Sequence, residues 1–565
     1  MVMVATDSIR STTPVSPGDQ DFVWAYNDIP KAAVVTVAFD TSDATAVDHS
    51  TWCRGFTDGS RSYCLATRSQ HGVNPTNVDG NGRNNRLVWL MSSTANTSIV
   101  EATFVQWLEA PGGIRLNFGT VSASAFKITV DLFGGDALSA RVGTASTLAS
   151  IGGSTIISPG FGPVYMEVMS RFAAFNGTVA GDPVISYGCA DTSNQYSFTW
   201  GDKDAVTPSQ AYAYRDNTRA VRKITTAATG VSVELTNWGS SSVTAVTRDV
   251  AESVTFAYLA LGITSGSSRI KVWEFSTPIV AASSTDNGPG WKPQIVRYVM
   301  NQMTAAATLA TTGPAGAVGW ASYGATNNGV HALAWQDNVA ASNTQSLTNT
   351  GTDFAFHAGT QSHLATFTSF ASTGITQNWT VVDAAAKLWI GMAVEQSVIG
   401  AALAIVDAPS TLSNDGKEVK PATLGAASSA STISISGKEV KPAVLAMTAS
   451  AAVLSMAAIA GANLAVIAFV AVAAALAFSA KRVIPCVLSS ASQAASLALS
   501  GNSGVKTCTF AFTAGAARLG FSSSTNRTVS VAGNRISSYG PSSTVQLSGP
   551  SVRHLVRGPS AEVQL

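Results

Sequence analysis

The chain has 565 residues, of which 46% are hydrophobic and only 12% are Asp, Glu, Lys or Arg. That length implies several domains, and the charged fraction is about half of the roughly 25% typical of soluble domains. The formal net charge of +1 and the lack of a long Lys/Arg cluster argue against a nucleic-acid partner. A surface so poor in charge tends to associate, as expected of a subunit embedded in an assembly.

The N-terminal region, residues 1–19, is predicted to be an extended arm that contains Pro14 and Pro17. It does not combine a basic segment with an apolar one, so we expect no export signal and folding in a reducing cytoplasm. The cysteines are odd in number and form no Cys-x-x-Cys pair, which argues against a disulfide framework and a zinc knuckle. They are Cys53, Cys64, Cys189, Cys486 and Cys508.

A long repeat follows, in which an apolar strand led by a proline recurs at Pro30, Pro163 and Pro293. Each copy continues with short apolar runs separated by Gly- and Asn-rich turns, and few windows show helical periodicity. This pattern is typical of antiparallel β-sandwiches. We therefore predict three tandem sandwich modules, over residues 20–145, 150–265 and 275–400.

The sequence lacks the His-Glu-x-x-His, Gly-x-Ser-x-Gly and Gly-x-x-x-x-Gly-Lys-Ser/Thr motifs. We expect a protein that is not an enzyme, with no catalytic residue, metal or cofactor. Asp202 and Asp204 are the best calcium candidates, but the other modules do not repeat the pair, which favours a solvated turn. Trp200 and Trp335 recur in two modules, which favours core positions. A glycan depolymerase would need two carboxylates across a groove, and the sequence singles out no such pair.

A shorter repeat occupies residues 405–535 in six units. Residues 410–424 and 431–445 are near copies 21 residues apart, and four weaker copies follow at steps of 21 or 22. Within a unit the apolar residues are two apart, which is the strand period. The dipeptides at 416–417 and 437–438, both Gly-Lys, are interpreted as turns, so each unit is predicted to be one hairpin or one solenoid coil. The remaining residues, 536–565, are predicted to be a loosely ordered tail.

The stretch 443–480 within this repeat is apolar and uncharged. It is compatible with a membrane-inserting helix or with strands buried on both faces. The repeat period favours strands, and Gly461-Ala-Asn463 interrupts the stretch. On the strand interpretation, the larger apolar residues are expected to face the interior of an oligomer. These oligomer-interface candidates are Ile433, Ile435, Leu454, Met456, Leu476, Phe478, Leu497 and Leu499.

The frame Thr255–Ile263 and the Gly-Lys-x-Val repeats at 416–419 and 437–440 resemble virion proteins of tailed bacteriophages, particularly tail-fibre and tail-tip subunits. The resemblance covers most of residues 20–531 through short motifs. It implies synthesis in the cytoplasm of a host bacterium, a place in the virion, homotrimer formation and a role in host attachment. A head, collar or decoration protein is one alternative, and a membrane-anchored surface adhesin is another.

The expected partners follow from this resemblance and from the composition. They are further copies of the chain, other virion proteins, and a glycan or protein of the host surface. Nucleic acid is not expected as a partner, and the strand interpretation of 443–480 argues against a membrane.

Overall fold

The computed structural model is all-β, without a helix among its described residues. It describes residues 4–395 except 25, 27, 110–111, 226–227, 264–268, 308, 311–315, 324–327, 350–355 and 358–360, and beyond residue 402 it describes the backbone of the strands. The chain divides into two compact units, one over Val2–Ser397 and one that begins at Val398. The predicted fold class, tandem antiparallel sandwiches followed by a repetitive solenoid-like region, is confirmed.

Module 1 is a sandwich of a large and a small antiparallel sheet. The large sheet has the order β1-β11-β3-β5-β6-β7 and the small sheet β2-β10-β9-β8. The strands are β1 Ala5–Thr12, β2 Gly18–Val23, β3 Pro30–Ala38, β4 Val47–Asp48, β5 Ser50–Thr57, β6 Ser62–Ser69, β7 Val78–Asn84, β8 Val88–Met91, β9 Ser98–Leu108, β10 Gly113–Thr120 and β11 Lys127–Gly134.

Module 2 repeats this topology. Its large sheet begins β12-β21-β14-β15-β16-β17 and its small sheet is β13-β20-β19-β18. The strands are β12 Leu138–Ser146, β13 Ser154–Ile157, β14 Tyr165–Ser170, β15 Val184–Asp191, β16 Gln195–Asp202, β17 Ala211–Asp216, β18 Val221–Ile224, β19 Thr229–Thr236, β20 Val243–Arg248 and β21 Thr255–Ile263.

Module 3 has the same strand order again, β22-β32-β24-β26-β27-β28 in the large sheet and β23-β31-β30-β29 in the small sheet. The strands are β22 Ile270–Ser276, β23 Ser283–Asp286, β24 Pro293–Asn301, β25 Leu309–Ala310, β26 Gly316–Tyr323, β27 Asn328–Trp335, β28 Thr344–Asn349, β29 Phe356–His357, β30 Gln361–Phe370, β31 Ile375–Val381 and β32 Leu388–Glu395.

The first strand of each module lies before the boundary expected from the sequence. Strand β12, assigned above to the first module, pairs along its length with β21 of module 2. Strand β1, expected within a separate arm, pairs with β11 and completes the large sheet of module 1. These edge strands precede the proline-led strands that mark the repeat, so the sequence pattern does not show which sheet they join.

The large sheets are buried on both faces, as the continuous apolar runs of β3, β14 and β24 require. One face packs on the small sheet of the same module and forms that module's own core. The other face packs against the large sheets of the other two modules. This central core contains Trp52, Trp200 and Trp320, and the ring centroids of Trp52 and Trp320 lie 4.4 Å apart.

The three modules form a closed ring because each extends the large sheet of a neighbour. Strand β4 of module 1 pairs with β28 of module 3, and β25 of module 3 pairs with β17 of module 2. Residues Asn176 and Ala180 of module 2 bridge to β7 of module 1. All three contacts use the same connection, between the third and fourth large-sheet strands, and the same sheet edge. The ring therefore has threefold pseudosymmetry.

The second unit is a parallel sheet of stacked strands. Partners are 21 or 22 residues apart along most of it, as in the register Leu412, Ile433, Leu454, Leu476, Leu497, Leu519. The strands are β33 Leu403–Val406, β34 Ser410–Val419, β35 Thr423–Val440, β36 Val444–Asn463, β37 Val466–Ala480, β38 Val483–Ile484, β39 Cys486–Ser500, β40 Cys508–Phe512, β41 Ala516–Ser522, β42 Thr528–Ala532, β43 Arg535–Tyr539, β44 Ser543–Leu547, β45 Arg553–Arg557 and β46 Ala561–Gln564.

Two expectations for this unit need correction. Strands β34 and β35 continue through the Gly-Lys dipeptides at 416–417 and 437–438, which are therefore not turns. Parallel stacking pairs Gly416 with Gly437 and Glu418 with Glu439 in the next copy, so the strands run through the dipeptides instead of turning. A register shift follows Gly437 in the next pairing. The expected loose tail contributes strands β44 to β46. The stretch 443–480 forms β36 and β37, in agreement with the strand interpretation of its repeat period. Among the described residues no helix is long and apolar enough to span a membrane.

Candidate functional site

Three equivalent loops meet where the modules join. These axial loops, residues 70–77, 203–210 and 336–343, connect the fifth and sixth large-sheet strands. Each contains a buried hydroxyl residue, Thr76, Ser209 or Ser342, at a spacing of 133 residues. Each hydroxyl donates to a backbone carbonyl of the next module. It also accepts the backbone N–H of a valine of that next module. The pairs are Thr76 with Lys203 O and Val206 N, Ser209 with Gln336 O and Val339 N, and Ser342 with Gln70 O and Val73 N.

A second equivalent position in these loops caps a strand of the adjacent module. The carboxylate of Asp204 accepts the backbone N–H of Val78 at 2.9 Å, and that of Asp337 accepts the N–H of Ala211 at 2.9 Å. At the third junction His71 Nδ1 lies 3.2 Å from the N of Thr344. The structure therefore gives Asp204 a role in joining modules and not in a solvated turn.

Asp204 and Asp202 do not act together. Asp202 is buried, and its carboxylate accepts a hydrogen bond from Ser69 Oγ of module 1 at 2.8 Å. Among the described residues no group of three or more His, Cys, Asp and Glu is arranged to hold a metal ion. The calcium candidate pair is thus divided between two separate module contacts.

The centre of the ring holds a buried network of charged residues, which we call the central network. Glu167 of module 2 accepts hydrogen bonds from Arg297 of module 3 at 2.6 and 3.1 Å and from Arg54 of module 1 at 3.0 Å. Tyr165 donates to the second carboxylate oxygen at 3.0 Å, and Tyr187 donates to the first. One carboxylate therefore joins all three modules.

Arg297 extends the central network to module 1. Its Nε lies 2.9 Å from a carboxylate oxygen of Asp131, whose other oxygen accepts from Ser322 Oγ at 2.7 Å. Nearby, His331 Nε2 lies 2.7 Å from Thr129 Oγ1. Two arginines and two carboxylates balance in charge, as a network without solvent requires.

Burial and neighbouring charge compete in setting the pKa values here. Burial alone would raise the pKa of the Glu167 carboxyl, but Arg297 and Arg54 outweigh burial and lower that pKa to about 2. Burial, together with the charges of Arg10 and Arg54, lowers the pKa of His331 well below its usual range. Burial raises the pKa of the Cys189 thiol to about 12. At neutral pH Glu167 is therefore ionised, while His331 and Cys189 are neutral.

The central network uses equivalent positions in different ways. Strand pairing places Val34, Glu167 and Arg297 at one equivalent position of the three modules. Arg54, Tyr187 and Trp320 occupy another, at a spacing of 133 residues. Three identical charges could not meet at one point, whereas valine, glutamate and arginine can. A single chain can place complementary residues around a threefold axis, and this chain does so.

Two further buried aspartates lie at module junctions. Asp40 of module 1 accepts from Ser346 Oγ of module 3 at 2.8 Å, as Asp202 accepts from Ser69. Burial raises the pKa of Asp40 to about 7, and burial likewise raises the pKa of Asp202 to about 7. Unlike Glu167, neither carboxylate faces two arginines.

The side chains of this centre bind one another and enclose little space. Its cavity of about 20 Å³ has room for about one water molecule. The thiol of Cys189 donates to no base, and burial raises its pKa far from the neutral range in which thiolates act as nucleophiles. The groups present bind one another.

The residues named from the sequence have three outcomes. Trp200 and Trp335 are buried, at 5% and 4% exposure, so the prediction that they belong to the core is confirmed. The cysteines Cys53, Cys64 and Cys189 are buried and free. The eight oligomer-interface candidates occupy adjoining register positions of β35, β36, β37 and β39. Their side chains lie outside the described part, so their role in an oligomer stays a prediction.

The central network was missed by sequence reasoning, although a signal for it exists. Glu167 and Arg297 are single charges within apolar strands, and both lie four residues after the proline that opens their module. A charge in a strand that is otherwise buried on both faces needs a buried partner. Comparing that position across the repeats would have paired Glu167 with Arg297.

No protein-family model matches the chain, and no curated protein matches it. Among solved structures, a chain of the Sulfolobus Turreted Icosahedral Virus is 10% identical, covers 46% of this chain and 89% of its own length, and has a TM-score of 0.17. The structure of Pseudomonas aeruginosa OccK11 (OpdR) is 8% identical, covers 66% of this chain and all of its own, and has a TM-score of 0.11. These scores are too low to support an argument about fold or function.

Proposed function

We propose that this chain is a structural protein of a virus particle, in a tailed bacteriophage a tail-fibre or tail-tip subunit that takes part in host attachment. The observation that supports a structural role is the closed ring. Three modules are held by exchanged strands, axial loops and a buried charge network, and the polar groups at the centre are used for cohesion. Such an arrangement stabilises a rigid body and leaves its outer loops free for contacts.

The stacked strands of the second unit support the same proposal. Parallel stacking in steps of 21 or 22 residues produces an elongated element of about 4.8 Å per coil, a form suited to a shaft. Homotrimer formation through the eight interface candidates remains part of the proposal. A protein of this kind is not an enzyme and acts through its partners, which are other virion proteins and a glycan or protein of the host surface.

Labelling of intact particles tests the position in the virion. Antibodies against the ring, applied to purified particles and viewed by electron microscopy, are expected to mark the tail end. Labelling of the capsid shell or the collar would instead support the alternative, a head, collar or decoration protein. Particles without label would contradict a virion role. The other alternative, a membrane-anchored surface adhesin, would place the label on cell surfaces and not on particles.

Native mass measurement tests the oligomer separately. We expect the purified chain to have three times its monomer mass, and Leu454→Asp with Leu476→Asp to reduce that mass to one chain. A wild-type chain that is already monomeric would contradict the trimer without affecting the proposed place in the virion.

A further inference from the structure

The connection between the first and second strands of each module exposes aliphatic side chains. These tip loops are residues 13–17, 147–153 and 277–282, and none of them contains a charged residue. Ile151 and Val280 are 63% and 67% exposed. Val15, Leu148 and Ile279 are also exposed, so every module contributes. Aliphatic side chains this exposed and grouped in uncharged loops are typical of contact surfaces.

Each tip loop is held at its base by the same threonine geometry. The backbone N–H of this threonine donates to a carbonyl, and its hydroxyl accepts the N–H of the same partner residue. The partners are Phe126 for Thr13, Val254 for Thr147 and Lys387 for Thr277, with distances of 2.8–3.1 Å. The bases are thus fixed while the apolar tips project, so the exposure is not a consequence of a loose loop.

The pseudosymmetry of the ring brings the three tips to one level. A rotation about an axis keeps every point at its height along that axis, and the three modules are related by such a rotation. Equivalent loops therefore lie at the same height. The ring therefore presents its three apolar tips at the same end.

The tips share their chemistry but neither sequence nor length. Their apolar segments read Pro-Val-Ser-Pro at 14–17, Leu-Ala-Ser-Ile-Gly-Gly at 148–153 and Pro-Ile-Val-Ala-Ala at 278–282. A protein partner that recognises shape would need defined side chains at each tip. A layer of acyl chains recognises only apolar character and is flat on this scale.

The charged residues beside the tips of modules 2 and 3 form ion pairs within their own modules. Asp249 pairs with Arg222 at 2.8 Å, and Asp383 pairs with Lys387 at 3.0 Å. Glu252 pairs with Lys223. Beside the tip loop of module 1, the carboxylate of Asp19 accepts a hydrogen bond from the amide of Asn117 at 2.7 Å. Among these residues there is no excess of positive charge to attract an anionic surface, so an uncharged surface fits best.

We propose that the three tip loops form a binding surface for the neutral, zwitterionic surface of a lipid bilayer. Entry is shallow, to the boundary between headgroups and acyl chains, because the backbone N–H and C=O groups of the loops need water or headgroup partners. Binding is independent of anionic lipid and insensitive to salt. This surface lies in the ring and does not depend on the position of the protein in a particle.

Vesicle flotation with the full-length chain tests the proposal. Wild-type protein is expected to float with phosphatidylcholine vesicles equally at 0.1 and 0.5 M NaCl. The double variant Ile151→Asp/Val280→Asp is expected to reduce the floating fraction at least fivefold, and adding Val15→Asp to reduce it further. Val105→Asp is the matched control, since Val105 is an exposed aliphatic residue in the middle of β9 and outside the tip loops. This control is expected to float like the wild type.

Several results would overturn the proposal. They are a wild type that stays with the protein-only fraction, a double variant that floats unchanged, and a Val105→Asp control that loses as much as the double variant. Flotation only with anionic lipid and low salt would indicate charge-driven binding. If the double variant instead abolishes a lipid-free, concentration-dependent dimer, the tips bind a second copy of the chain. Unchanged thermal unfolding of each variant ensures that the comparison concerns binding.

Discussion

At the residue scale, Glu167 is the carboxylate that joins all three modules. Its carboxylate is fully buried and accepts hydrogen bonds from Arg54 and Arg297, which belong to two other modules. Removing one partner of such a network costs more than the network contributes, because the other charges stay buried without compensation. The ring therefore depends on this glutamate even though apolar residues could fill the same space.

Glu167→Gln is expected to destabilise the protein by about 3–5 kcal/mol. The measurement is the free energy of unfolding in urea at pH 7. The control is Glu234→Gln, which removes a partly exposed partner of Arg248 and is expected to cost less than about 1 kcal/mol. Equal losses in the two variants would show that the central network has no special weight.

The lowered pKa of Glu167 predicts that the stability of the protein falls in acid. Its pKa is about 2 in the folded protein and near 4.5 in an unfolded chain. A carboxyl with a lowered folded pKa stabilises the protein above pH 4.5, and that stability is lost as the pH falls toward 2. The size of this loss is about 3 kcal/mol. Wild-type stability is therefore expected to fall more steeply than that of Glu167→Gln over this range, in unfolding curves recorded at successive pH values.

For Asp40 we expect the opposite dependence of stability on pH. Burial raises its folded pKa to about 7 from an ordinary value of 3.8, so stability declines as the pH rises from about 4 to 7 and stays lower above. Asp40→Asn removes the charge and keeps an oxygen that can accept from Ser346. It is expected to be up to about 4 kcal/mol more stable than the wild type at pH 8 and nearly equal at pH 4. The exposed Asp136→Asn is the control, and a gain there of similar size would refute the explanation.

At the scale of elements, the axial loops distinguish two kinds of junction. Short peptide linkers connect module 1 to module 2 and module 2 to module 3, whereas modules 3 and 1 meet without a linker. The hydroxyls of Ser209 and Ser342 make the same two hydrogen bonds, one at each kind of junction. The two serines therefore allow the same contact to be compared with and without a peptide linker between the modules.

Ser342→Ala and Ser209→Ala are each expected to cost about 1–3 kcal/mol, because each leaves a buried N–H and C=O without their partner. Only Ser342→Ala is expected to speed hydrogen exchange in β4 and β28, since no linker restores the contact between modules 3 and 1. Exchange measured by mass spectrometry on both variants provides the comparison. If hydrogen exchange in β4 and β28 is equally slow in both variants, the unlinked junction is no weaker than the linked ones.

The sequence allowed the modules and the shorter repeat to be predicted, because apolar strands and repeat periods are local signals. It did not place β1, β12 and β22 in their sheets, since an edge strand is assigned by its partner and not by its own composition. The Gly-Lys dipeptides by themselves predict turns, because glycine followed by a polar residue is a turn signal. Stacking of identical copies overrides that signal, and it becomes visible only when the partner strand is known.

At the scale of the whole molecule, the ring does not need all of its peptide linkers. Modules 3 and 1 already join without one, through contacts equivalent to those at the linked junctions. A protease site inserted at residues 264–268 is therefore expected to yield two fragments that remain together on native size exclusion and separate in denaturant. The chain with the same insertion, left uncut, is the control. Separation of the fragments without denaturant would mean that covalent linkage holds the ring together.

The unequal use of equivalent positions has a consequence for imaging. Density averaged over three sectors would superpose Val34, Glu167 and Arg297 and show a side chain that none of the modules has. The tip loops, which differ in length, would blur in the same way. A reconstruction without imposed averaging should instead separate the sectors, with the tips as the marks that fix their rotational alignment.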